Sequence, residues 1–161
     1  LINDSPRPIK MSFYIPDIKV TLSEGLFMVK YDNNARLAPT SSKAWKQKYV
    51  VVEGIISKEY KISMYRSKAE YIIAAMATFA NRPVPVKVKQ FSIPSNSRIM
   101  QDKYNPVQTK MYKNEREPWK YITVIRKDNM LPIKISSTNA DELNLVHEGI
   151  RRILKTTQKG P

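Results

Sequence analysis

The stretch Trp45-Lys-Gln-Lys-Tyr-Val-Val-Val-Glu53 decides the fold class of this chain. Lys46 and Lys48 alternate with aromatic and polar residues in its first half, and three valines follow. Successive side chains of a strand point to opposite faces, and β-branched residues favour strands. We therefore predict a strand closed by Gly54, with a lysine face opposite a face formed by Trp45, Gln47 and Tyr49.

Two further strands flank this stretch. The apolar run from Leu22 to Lys30 ends in a turn signal at residues 31–34, and residues 35–44 form a polar loop. Residues 60–66 alternate again, with Tyr60, Ile62 and Met64 on one face. Three strands in series with short polar joints predict an antiparallel meander.

The pattern becomes helical after the meander. Residues 69–79 are rich in alanine, Ser67 is a candidate N-cap, and Pro83 lies just beyond the end. These signals predict an inserted helix whose apolar residues at helical spacing are Ile72, Met76 and Phe79.

The second half predicts more strands and one closing helix. Residues 85–93, 119–126 and 131–136 read as strands, whereas residues 94–118 form a long polar loop or insertion. Residues 137–142 combine cap candidates with acidic residues and start an amphipathic helix. Its apolar stripe consists of Leu143, Val146, Ile150 and Ile153. The predicted fold class is mainly β, a barrel or sandwich with a C-terminal capping helix and a helix inserted between strands 3 and 4.

Composition limits the function classes. The 161 residues suffice for one domain, contain no cysteine and include a single histidine, His147. A thiolate or histidine metal site and a catalytic triad are therefore not expected, and neither an enzyme nor a cofactor is predicted. No apolar run approaches the roughly 20 residues that span a bilayer, and no signal-peptide pattern is present. The chain lacks an initiator Met, so we interpret it as a piece of a longer protein.

The net charge of +14 points to polyanionic partners. The excess of lysine and arginine is spread along the chain, as in a folded domain that meets nucleic acid, an anionic membrane or an acidic protein. A merely basic soluble protein is the alternative, because charge speaks to association and not to fold.

Specific residues add a family resemblance. Glu24-Gly25 lies near the start of the first strand, Trp45 opens the second, Met64-Tyr-Arg-Ser-Lys68 ends the third, and a Ser/Thr-rich start at residue 136 precedes the last helix. Over residues 22–155 this order resembles the pleckstrin-homology family. The chain departs from the family where Val146 stands in place of the usual helix Trp, and in its larger connections. The resemblance implies a lead-in at 1–21, a domain at 22–157 with an insertion around 94–118, and a tail at 158–161.

The resemblance also implies a site for lipid headgroups, formed by the first strand, the following loop and the next two strands. Carried over by position, its residues are Lys30, Arg36, Lys43, Lys46, Lys48, Tyr65 and Arg66. Ammonium groups around an open loop can donate to phosphate oxygens. The family favours Arg at the place of Lys48, so Lys there implies weaker or less selective binding. The alternative is that these lysines are solvated residues of a strand face.

Other basic residues have two interpretations each. Lys87 and Lys89 either join this patch or are exposed strand residues, and the second is favoured. The insertion mixes cations with Tyr104, Tyr112 and Trp119, which is typical of single-stranded nucleic acid binding, although a disordered spacer is the favoured interpretation. Trp45, Trp119 and Tyr49 are predicted to lie in or near the core, in preference to stacking on a ligand.

The expected function is that of a targeting domain which binds phosphoinositides and anionic membranes, within a larger adaptor, signalling or trafficking protein. It would be cytoplasmic and peripheral at the membrane. The alternative is a protein-interaction module on the same fold, for a small GTPase or a peptide at a sheet edge. A nucleic-acid-binding barrel is less favoured, because no recognisable motif accompanies the charge.

Overall fold

The computed structural model describes residues 18–31, 42–55, 59–94, 96–101, 105–126, 130–137 and 139–158. For residues 155–158 it describes the backbone alone. The described strands are β1 (Lys19–Lys30), β2 (Lys46–Ile55), β3 (Glu59–Tyr65), β4 (Lys89–Ser92), β5 (Arg98–Ile99), β6 (Gln108–Lys110), β7 (Trp119–Ile125) and β8 (Ile133–Ser136). The helices are α1 (Lys68–Phe79) and α2 (Ala140–Gln158), and a 3-10 turn at Ser42–Ala44 precedes β2. The predicted fold class is confirmed: the chain is mainly β, with a helix between β3 and β4 and a helix at its C-terminal end.

The strands form one antiparallel sheet. Its order is β4-β3-β2-β1-β8-β7-β5, and β6 also pairs with β7. β1 holds the two halves together, because it pairs with β2 along most of its length and with β8 near its end, where Met28 lies opposite Ser136. β1 and β7 therefore end where β2, β4 and β8 begin. The residues of the candidate site lie at this end of the sheet.

One face of the sheet encloses the main core. Side chains from six strands form one buried cluster with the stripe of α2 that the sequence predicts, and the largest fully buried ones include Ile62, Ile122, Ile135, Leu143 and Ile150. Asn139 caps α2, since its side-chain oxygen accepts a hydrogen bond from the Asp141 N–H at 2.9 Å. Val146, at the position of the family's Trp, is buried in this core.

The opposite face carries two smaller aromatic clusters. The tryptophan cluster consists of Trp45, Tyr112, Trp119 and Tyr121, with ring centroids 5.5–5.9 Å apart. The tyrosine cluster consists of Tyr49, Tyr65 and Tyr71, with centroids 5.2 and 5.4 Å apart. Trp45 and Tyr49 are buried and Trp119 is half-buried, and all three lie in these clusters instead of the main core.

The inserted helix begins as predicted but packs through different residues. The Ser67 hydroxyl accepts the Glu70 N–H at 3.2 Å, which caps α1. Its buried residue is Ala74, and Tyr71 joins the tyrosine cluster, whereas Ile72, Met76 and Phe79 are exposed. The spacing of apolar residues did not reveal the packed side, because α1 is apolar on nearly every side.

Other boundaries differ from the predictions for local reasons. β1 begins at Lys19, so the predicted lead-in contributes strand residues. The fourth strand is only Lys89–Ser92, since prolines at 83 and 85 lack the N–H that a ladder needs. β2 continues through Gly54, where a Cβ would overlap the Tyr60 ring, so glycine allows the close approach of β3.

The insertion around 94–118 is not a spacer in its described part. β5 and β6 both pair with β7, and Tyr112 is buried with its hydroxyl accepting the Trp45 indole N–H at 3.2 Å. The predicted spacer is therefore wrong for these residues, since Tyr112 packs against Trp119 on one face of the sheet. Tyr104 lies outside the described residues.

Candidate functional site: the basic end of the sheet

Lys46 and Lys48 occupy the core-facing side of β2, at the end where the strand begins. In the ladder they lie opposite Val29 and Phe27, and the next core-facing residue on β2 is the buried Val50. The predicted separation of the lysine face from the Trp45 and Tyr49 face is confirmed. The lysine face continues the wall of the core beyond its apolar part.

An aromatic pair fills this end of the core. The rings of Tyr31 and Phe91 lie 5.1 Å apart. Lys46 Nζ lies 5.9 Å from the Tyr31 ring, Lys89 Nζ lies 5.8 Å from the Phe91 ring, and the Arg126 guanidinium carbon lies 5.1 Å from it. These distances fit cation–π contacts. We call these five residues the basic mouth.

The basic mouth is assembled from four separate segments of the chain. Tyr31 follows β1, Lys46 opens β2, Lys89 opens β4 and Arg126 follows β7. They meet because these strands begin or end on one side of an antiparallel sheet. A cluster built in this way depends on the completed fold and on no single loop.

Arg126 is the most enclosed cation of the basic mouth. It is buried, its terminal nitrogen donates to the Leu131 carbonyl oxygen at 3.4 Å, and its Nε is buried with no hydrogen-bond partner among the described residues. Burial lowers the pKa of the guanidinium from its usual high value, although arginine keeps its charge at neutral pH. An unsatisfied buried donor of this kind is costly, and an anion nearby would relieve the cost.

The three charged side chains of the basic mouth are all cations. Lys46 and Lys89 are exposed, Lys48 is half-buried, and none of the ion pairs between described residues includes Lys89 or Arg126. Several cations at one end of a sheet attract anions more strongly than the same charges spread over the surface.

Lys30 does not join the basic mouth. Its side chain lies on the opposite face of β1, 3% exposed, with Nζ 5.8 Å from the Trp45 ring. It lies opposite Lys134 in the ladder between β1 and β8. Lys30 lies at the expected end of β1. Successive residues of a strand point to opposite faces, so its side chain lies on the face opposite that of Val29 and Lys46.

The remaining predicted residues divide between surface and interior. Tyr65 is buried in the tyrosine cluster, where desolvation raises the pKa of its hydroxyl to about 12. Arg66 is exposed and forms an ion pair with Glu70 at 2.6 Å. Lys43 is exposed in the 3-10 turn before β2, and Arg36 lies outside the described residues.

The sequence analysis missed two aromatic residues and one cation of the basic mouth. Tyr31 was read as part of a turn, Phe91 only as a strand residue, and Arg126 only as the end of a strand. A signal for Arg126 was present, because it shares the parity of Ile122 and Val124, whose side chains face the core. Lys89 was considered for the patch, and its position fits that interpretation.

A second missed feature is Lys134, which is 0% exposed on the tryptophan-cluster side of β8. Its Nζ donates to the Thr123 hydroxyl at 3.1 Å and lies 5.2 Å from the Tyr121 ring. Burial, together with the charge of Lys30, lowers the pKa of Lys134 to about 8. The single letter K within the apolar strand Ile-Lys-Ile-Ser was the only sequence signal of this buried amine.

None of the described helices is long and apolar enough to cross a membrane. No protein-family model, curated protein or solved structure matches the chain. The function of the basic mouth is therefore inferred from its own residues and their geometry.

Proposed function

We propose that this domain docks a larger protein on anionic membranes by binding phosphoinositide headgroups at the basic mouth. The observation that carries the proposal is the meeting of Lys46, Lys89 and Arg126, from three separate segments, around one aromatic pair. The resemblance to the pleckstrin-homology family agrees with it, since the resemblance had already implied Lys46 and Lys48.

The chemistry suits a phosphorylated headgroup. Lysine ammonium groups act as point charges toward phosphate oxygens, and an arginine fork can bind one phosphate through two nitrogens. The Tyr31 and Phe91 rings support the stems of the cations, which limits the conformational entropy lost on binding. A site with two exposed lysines and one enclosed arginine supports reversible recruitment to a cytoplasmic membrane face.

The test removes the two exposed lysines of the basic mouth. We expect Lys46→Ala/Lys89→Ala to weaken binding to phosphoinositide vesicles by about tenfold or more, since each lysine near an anionic surface contributes about 1 kcal/mol. Both side chains are exposed, so the fold is expected to persist. Sedimentation with phosphatidylcholine vesicles, with and without phosphoinositide, measures the affinity.

The matched control removes the same charge at the end of β7 that lies opposite Arg126. Lys110 ends β6 and Lys120 lies near the start of β7, and both side chains are exposed. Lys110→Ala/Lys120→Ala should leave binding nearly unchanged. Equal losses in the two variants would show that net charge alone binds the vesicles, and the assignment to the basic mouth would fail.

Absence of vesicle binding by the unaltered chain would instead favour an extended peptide as ligand. β5 pairs with β7 on one side, and no described strand pairs with its other edge. A cavity of about 300 Å³ separates β5 from α2, lined among others by Arg98, His147 and Arg151. An acidic peptide could extend the sheet at this edge.

A further inference from the structure

α1 leaves an apolar ridge uncovered. Only one side of the helix packs on the sheet, through Tyr71 and Ala74. On the outer side Phe79 is 92% exposed and Met76 67% exposed, and Ile72 and Ile73 are also exposed. Soluble proteins seldom expose large apolar residues next to one another without a partner for them.

The chain segment that carries the ridge is rich in cations, although Glu53 of β2 lines a cavity with Phe79. Between residues 66 and 89 the only acidic residue is Glu70, and it is already paired with Arg66 at 2.6 Å. The same segment contains five cations: Arg66, Lys68, Arg82, Lys87 and Lys89. An apolar ridge with a basic margin complements an anionic bilayer, in which acyl chains receive the ridge and headgroups meet the cations.

α1 packs on the face of the sheet opposite the basic mouth. It starts at the end of the sheet that holds the basic mouth and runs to the other end, where Phe79 and Lys19 line one cavity. α1 follows directly on β3, which ends on the side of the sheet where β2 and β4 begin. The segment after α1 returns to this same end and finishes at Lys89, a residue of the basic mouth. Val84 and Val88 are exposed along this return and extend the apolar surface.

We propose that α1 is a membrane-inserting element, whose ridge of Ile72, Ile73, Met76 and Phe79 enters the headgroup and acyl boundary of an anionic bilayer. This inference rests on the proposed function, because the basic mouth brings the domain to an anionic bilayer. A helix of 12 residues is about 18 Å long, which suits a position along the interface and not a span.

The absence of cysteine makes a direct test simple. We expect an NBD fluorophore attached to Met76→Cys to become brighter and to shift to the blue on vesicles of phosphatidylcholine with phosphoinositide, because NBD emits more strongly in an apolar environment. The matched control is Leu145→Cys on α2, where the native leucine is 65% exposed. Its fluorophore should report little change.

A pair of substitutions measures the contribution of the ridge. Met76→Ser/Phe79→Ser should weaken vesicle binding by about tenfold or more, since two large apolar side chains no longer leave water. Leu145→Ser serves as the control with the same type of change. Because all three residues are exposed, the variants should unfold at the same urea concentration as the unaltered chain.

The outcomes separate this inference from the proposed function. Sedimentation of the unaltered chain without a spectral change at position 76 overturns the inserting role of α1 and leaves the basic mouth intact. A spectral change that follows protein concentration in the absence of vesicles also overturns it, since a second copy then covers the ridge. Failure of the unaltered chain to bind any vesicle overturns both proposals.

Discussion

Replacing Trp45 with alanine is expected to lower the free energy of unfolding by about 3–5 kcal/mol. Trp45 is buried against Trp119 and Tyr121, and it donates its indole N–H to the Tyr112 hydroxyl at 3.2 Å. The truncation removes these ring contacts and leaves a cavity at the centre of the tryptophan cluster. Urea unfolding followed by far-UV circular dichroism measures the loss.

Trp45→Phe is the matched control, because it keeps an aromatic ring and removes the indole donor. A smaller loss of about 1–2 kcal/mol is expected, set by the reduced ring and the hydrogen bond to Tyr112. If Trp45→Ala unfolded at the same urea concentration as the unaltered chain, the tryptophan cluster would not contribute to the fold in the way described.

Stability is expected to rise with pH between 7 and 9.5 by about 2 kcal/mol, because of Lys134. The folded chain holds the pKa of Lys134 at about 8, below the ordinary lysine value of 10.5. Between these values the unfolded chain binds the proton and the folded chain does not, so a higher pH favours the folded chain. The favourable contribution is complete above about 10.5 and is lost as the pH falls through about 8.

The pH range over which stability rises depends on the charged and titratable groups around Lys134. Lys30 faces it from β1, and Tyr121 faces it from β7. Tyr49 and Tyr65, whose pKa values are raised to about 12 mainly by burial, act in the opposite direction. Their unfolded forms lose protons first above pH 10, so the stability should fall again there and pass through a maximum near pH 10.

Lys134→Met tests the assignment. Methionine fills a similar volume without a charge, so the rise in stability between pH 7 and 9.5 should disappear while the decline above pH 10 remains. Urea unfolding at a series of pH values measures both the rise and the decline in the free energy of unfolding. A rise of the same size in the variant would assign the titration to another group.

The sequence predicted the fold class because its periodicities are local. The alternation around Lys46 and the stripe of Leu143 and Val146 both follow from the chain's own geometry, and both patterns are confirmed. The insertion could not be read in this way. β5 and β6 are two and three residues long, too short for any period, and they exist because β7 offers them a partner.

The candidate site was predicted in part for a similar reason. Lys46 and Lys48 were found through their spacing on one strand, whereas Arg126 and Phe91 reach the same place only through the order of strands in the sheet. The position of Lys30 along the chain favoured the site, but alternate residues of a strand point to opposite faces, and Lys30 lies on the other one. The exposed side of α1 could not be predicted, since apolar residues occur on nearly all of its sides.

The pairing of β1 with β8 has a consequence for how the chain folds. Met28 meets Ser136 after roughly a hundred intervening positions, so this ladder closes a very long loop. The meander of β1, β2 and β3 can form early from near neighbours, whereas the outer edge of β1 stays unpaired until β8 is available. During synthesis that edge stays open until nearly all of the chain has emerged. We therefore expect slow folding, with the exposed edge of β1 as the surface most prone to association with other unfinished chains.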